Sequence, residues 1–201
     1  MTNLWLFQLS ISIFVIILIS QVVSKLFKIS LAKSFIVSVA LIILISMFLK
    51  SLGFYKYSVN FLIIISIIPL FFSKIRKNVF EHKLVIIEFV ILLLVLFYFS
   101  HNRILMDEDE LYFWAVKYKY HIMHFQEINN YNIDLIDEPF NVSGYGNATA
   151  LFQAFITAFI GYNEGGAIFA NNIIILCVFY FLFGDKLKNL NHKIIYLLIL
   201  Y

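Results

Sequence analysis

The sequence predicts an all-α protein, a polytopic bundle of transmembrane helices with an external loop carrying short interfacial helices. Three observations point there. Hydrophobic residues make up 62% of the 201-residue chain, and its mean hydropathy is +0.91. Charged residues make up 13%, about half the roughly 25% of an ordinary soluble domain. The apolar residues also fall in runs near the ~20 residues that a helix needs to cross a bilayer.

The elements follow in order. Residues 4–23 form the first spanning run. No basic residue precedes it and no small-residue cleavage site follows it, so it reads as a retained helix rather than a signal peptide. Residues 34–49 form a shorter run that reaches spanning length if Lys33 and Lys50 snorkel at its ends. Residues 59–73 are shorter still and hold Pro69, and residues 84–100 complete a unit of four expected transmembrane helices over 1–100. Residues 101–147 are polar and hold eight of the twelve acidic residues. Hydrophobicity returns over 148–201, where further membrane helices are expected. The last run, 194–201, is too short to span, which leads us to expect a longer protein.

Charge placement gives an orientation. Lys25, Lys28 and Lys33 occupy the first connection, and Lys74, Arg76, Lys77 and Lys83 the third. The positive-inside rule puts both in the cytoplasm and the acidic loop outside. After the loop two readings stay open. If 148–162 and 167–184 both cross, Lys186, Lys188 and Lys193 lie outside, against the rule. If 148–162 is re-entrant or lies flat, they lie inside.

Several function classes lack support. No P-loop, GxGxxG, HExxH or GxSxG occurs, and the single Cys177 permits no internal disulfide framework. The lysines mark membrane orientation rather than a nucleic-acid surface, so no nucleic acid is expected as a partner. No cofactor is expected, and the i, i+3 pair His121 and His124 does not make a metal site. Glu88 falls inside an apolar run, a turn or so from Lys83, and is expected to snorkel to the interface. The Ile, Phe, Leu, Lys and Asn bias suggests a bacterial, A+T-rich source and hence the inner membrane. The oligomeric state is not readable.

Residues 106–121, MDEDELYFWAVKYKYH, concentrate acid within grease. As a helix they place Leu111, Trp114, Ala115 and Tyr118 on one apolar stripe, suited to the membrane interface. Asp107 to Glu110 then fill the first turn, where they complement the helix dipole by roughly 0.3–1 kcal/mol each. Two acids would serve as a cap. Four repel one another, and repulsion beside lipid raises carboxylate pKa values and readies one to act as a general base. A second feature follows: Tyr145-Gly146-Asn147-Ala148-Thr149-Ala150-Leu151-Phe152-Gln153, a glycine turn leading into an apolar helix with Asn147 or Thr149 as N-cap.

Together these features resemble the GT-C-type polytopic glycosyltransferases, the dolichyl-phosphate-mannose and aminoarabinose transferase group, in their N-terminal part. The motif is Asp109-Glu110-Leu111-Tyr112-Phe113-Trp114, followed by the Tyr145 helix start and a Phe159-Ile160-Gly161-Tyr162-Asn163 step. The resemblance covers about residues 84–185. It implies transfer of a sugar from a polyprenyl-phosphate donor in the bilayer to an external acceptor. Asp109 would be the base and Glu110 would orient the acceptor or tune that base. Asp107 is the rival base. Trp114, Tyr145 and Asn147 would line the substrate site with Asp107, and Lys117, Lys119 or Arg103 would help the lipid phosphate leave. The alternative is a non-catalytic membrane protein of envelope-polysaccharide assembly or export, whose acidic loop binds a partner or a cation.

Overall fold

The computed structural model describes residues 2–72, 75, 81–100, 118, 119, 122 and 148–185. All regular structure among them is helical. Helix α1 (Thr2–Phe27) runs into a tight turn and α2 (Leu31–Ser51) returns beside it. A 3-10 turn (Tyr55–Tyr57) leads to α3 (Ser58–Ile67), which tightens into a second 3-10 turn (Ile68–Phe71). Pro69 explains the tightening, because it lacks the N–H that an α-helical bond at that point requires. Then come α4 (Lys83–Ser100), α5 (Ala148–Thr157) and α6 (Glu164–Phe183). The described residues of α1, α2, α4 and α6 include four stretches long and apolar enough to cross a membrane: Phe7–Phe27, Leu31–Ser51, Lys83–Ser100 and Glu164–Phe183. The chain is an integral membrane helical bundle. Ser58–Phe71 and Ala148–Thr157 fall short of that length.

Two helices end differently. Gly53, just past α2, takes φ +77, its N–H bonding Lys50 O at 3.0 Å while Phe54 N–H bonds Leu49 O at 2.8 Å. That is a Schellman motif, with glycine where the left-handed conformation is cheapest. At the end of α1 the left-handed position is Lys28, φ 54. A side chain there costs on the order of 1 kcal/mol relative to glycine. Ser24 Oγ donates to Ile29 O at 2.7 Å, and Ser30 caps α2 from the other side of the turn.

Between lipid-embedded helices the hydrophobic effect gives little net drive, since lipid tails are as apolar as leucine; close packing and hydrogen bonds hold the bundle. Both occur. Ser20 Oγ and Ser38 Oγ lie 2.6 Å apart across α1 and α2, and each also lies 2.7 Å from a carbonyl of its own helix. Two protons serve those three contacts, so one hydroxyl donates across and the other donates to its own helix. Asn172 Nδ2 of α6 donates to Ser100 Oγ of α4 at 2.8 Å. Phe35 of α2 stacks on Phe89 of α4 at 3.9 Å, and Tyr180 of α6 meets both rings edge-on. A Cβ added to Gly184 would lie 2.6 Å from Ala32 Cβ, so glycine lets α6 end against the start of α2.

These contacts fix direction. Asp185, just past α6, accepts from Ser30 Oγ at 2.7 Å and lies 3.7 Å from Lys33 Nζ. Thus α6 ends at the lysine-bearing α1–α2 turn and runs parallel to α1. Helix α4 runs against α6, with Phe89 opposite Tyr180 and Ser100 opposite Asn172. The described part of α5 is ten residues, or about 15 Å. It lies antiparallel to α6, Gln153 facing Asn171 at 3.1 Å. Glu88, half-buried about a turn and a half into α4, is an electrostatic neighbour of Tyr180.

Candidate functional site

The α5–α6 turn is the one place where the acidic segment of the sequence meets the bundle among the described residues. It forms because α5 must stop. Gly161, φ +87, turns the chain; its N–H and that of Ile160 both bond Thr157 O at 2.9 Å. Asn163 then caps α6, its Oδ1 accepting from Gly166 N–H at 2.9 Å. Glu164 sits in the first turn of α6, where a carboxylate complements the helix dipole. From α1, Gln8 closes the other side: Phe159 N–H donates to its Oε1 at 3.0 Å, and its Nε2 donates to Phe155 O at 3.1 Å. A buried helix end leaves backbone groups without partners, and one glutamine here serves two of them.

Tyr118 docks into this turn and is fully buried. Its oxygen accepts from Asn163 N–H at 3.0 Å. Its hydroxyl donates to Thr157 Oγ1 at 2.6 Å, with the Gly161 and Asn163 carbonyls at 3.3 Å as secondary acceptors. Thr157 in turn donates to Gln153 O at 2.9 Å. The bonds run one way, from amide to phenol to hydroxyl to carbonyl. Ile122 lies one turn on from Tyr118, and both pack with Ala150, Ala154 and Ala167, whose small side chains leave room for the ring. The Tyr162 ring lies 5.1 Å from that of Tyr118, and Lys119 Nζ stands 5.8 Å from the Tyr162 centroid.

Electrostatically the hub is closed. Burial pushes the Tyr118 phenol up to about 12, against smaller lowering effects from Thr157 and Asn163. The shift favours the protonated phenol, which donates to Thr157 while accepting from Asn163. Tyr162 is also raised, by partial burial and by Glu164 beside it. No group of three metal-ligating side chains occurs among the described residues.

Of the residues singled out in the sequence, Lys119 is described, standing over Tyr162 at the hub. Asp107, Asp109, Glu110, Trp114, Lys117, Tyr145 and Asn147 lie outside the described residues, as do Arg103, His121 and His124. One expectation is corrected. The stripe containing Tyr118 was expected to face the membrane interface, yet Tyr118 faces protein. Its hydroxyl finds four polar partners in the turn that lipid would not offer. Sequence reasoning also missed Gln8, Thr157 and Asn163 as hub members. A signal existed for Gln8, a polar residue inside an apolar run. Thr157 carried none, because threonine occurs routinely near helix ends, and Asn163 was legible as part of the Gly161-Tyr162-Asn163 step but not as a partner of Tyr118.

The geometry defines a class, a helical integral membrane protein with a polar hub at the α5–α6 turn. No family model, curated protein or solved structure matches the chain.

Proposed function

We propose that the chain is the N-terminal part of a GT-C-like membrane glycosyltransferase, moving a sugar from a polyprenyl-phosphate donor to an acceptor on the non-cytoplasmic face of a bacterial inner membrane. The observation that carries this reading is the docking of Tyr118 on Gly161 and Asn163. Tyr118 follows the Asp109-Glu110-x-x-x-Trp114 motif by a few residues, and the Gly161-Tyr162-Asn163 step is the other half of the family resemblance. Tyr118, four residues beyond the first feature, is held at the second by hydrogen bonds to Thr157 and Asn163.

In this reading Asp109 takes the proton of the acceptor hydroxyl as its oxygen bonds to the anomeric carbon. The bond from that carbon to the lipid phosphate breaks, and the phosphate leaves with the electron pair. Attack from the opposite face inverts the configuration. Glu110 orients the acceptor, and Lys117 or Lys119 offsets the charge developing on the phosphate. The lysine-bearing end of the bundle, where α1 and α6 finish, is cytoplasmic by the positive-inside rule.

The test is Asp109→Asn in the complete protein, with transfer from a radiolabelled polyprenyl-phosphate sugar measured in membrane extracts. Loss of a general base lowers the rate by about 10²–10⁴-fold. Undiminished transfer removes Asp109 from this role. No transfer by the wild-type protein with any donor favours the non-catalytic alternative.

A further inference from the structure

At the end of the bundle opposite the hub, the α1–α2 turn combines three features. Lys28 holds φ 54, in the left-handed region where the chain uses glycine at the end of α2. Lys25 and Lys28 are both exposed, and neither side chain has an ion pair or hydrogen bond among the described residues. Between them lie Leu26 and Phe27, 72% and 67% exposed and so open to lipid at the end of the α1 span. Lys33, the third lysine of the turn, is different, because Asp185 stands 3.7 Å from it and offsets its charge.

A strained backbone position persists where the side chain it carries is worth more than the strain. Glycine would relax this turn and remove a positive charge from the rim. The chain keeps the charge. Two ammonium groups with no partner among the described residues, flanking two exposed apolar side chains, match a lipid that is anionic at its head and apolar below. The apolar pair would lie along acyl chains, while the lysine stems snorkel to phosphate level.

We propose that the Lys25–Lys28 turn is a binding site for an anionic phospholipid headgroup, with Lys28 as its main contact and Leu26 and Phe27 against the acyl chains. The site is independent of the transferase reading, since it lies at the other end of the bundle.

The experiment reconstitutes the full chain in phosphatidylcholine nanodiscs with graded phosphatidylglycerol. It measures the preference for spin-labelled phosphatidylglycerol over spin-labelled phosphatidylcholine, together with Tm. A lysine near an anionic surface is worth about a fivefold change in preference. Lys28→Gly is expected to lower the preference by about that factor while Tm holds or rises. Lys28→Arg keeps the preference, and high salt weakens it. Should Lys28→Gly fold poorly, Lys28→Asn also tolerates the left-handed region and removes the charge. An unchanged preference in the folded neutral variant overturns the proposal. So does an equal loss for both lipids. Competition by inorganic phosphate as strong as that by phosphatidylglycerol also overturns it, since the site would then be one for a free anion.

Discussion

The two ends of this bundle are held by opposite means. At the α5–α6 turn a buried phenol, an amide and a hydroxyl form short neutral hydrogen bonds shielded from water. At the α1–α2 turn the link to α6 is an ion pair whose side chains are 48% and 45% exposed, supported by Ser30 Oγ on Asp185. Buried polar groups are costly to leave unpaired, whereas exposed charges are already solvated. The hub should therefore behave as a rigid joint and the charged end as an adjustable one. Chemistry that needs fixed groups belongs near the first, and contact with a changing lipid surface near the second.

Tyr118→Ala is the severest test of that contrast. It empties a fully buried ring site and is expected to cost about 3–5 kcal/mol, read as a fall in the unfolding midpoint in detergent. A loss no larger than that of a surface variant would mean the turn holds without its phenol. Tyr118→Phe keeps the ring and strips the hydroxyl, leaving Asn163 N–H without its acceptor. We expect a cost of about 1–3 kcal/mol and a changed pH profile. The folded phenol is raised to about 12 from 10.0, so the folded state favours its protonated form. Its stabilisation is complete below pH 10 and is lost as pH rises from 10 through 12. The variant should lose the part of that alkaline decline that belongs to Tyr118, as pH-dependent melting would show.

The smallest effect belongs to the other end. Lys33→Ala breaks the pair with Asp185 in a setting open to solvent, and we expect a change below about 1 kcal/mol that shrinks further as salt is raised. A large, salt-insensitive loss would make the two ends alike.

Much of the fold was legible in advance. Long apolar runs with lysines between them gave helices at 4–23, 34–49 and 84–100, within a few residues of α1, α2 and α4. Gly161 and Asn163 read correctly as a step between two helices. Whether 148–162 crosses was not legible, since an apolar stretch of that length suits both a hairpin that crosses and one that does not. Nor was the burial of Tyr118, because a stripe of aromatic residues looks the same whether it faces lipid or protein.

By itself, then, the sequence determined the class of this protein, where its membrane helices run and which end of the bundle is basic. Those properties follow from composition averaged over a helix length, to which a bilayer responds directly. Tertiary structure decided which polar residues meet: Gln8 with the end of α5, Tyr118 with Asn163, Ser20 with Ser38, Asp185 with Lys33. In a bundle surrounded by lipid, apolar contact is nearly as good outside as inside. The arrangement is therefore set by a few polar and close-packed contacts, whose partners lie far apart in the chain.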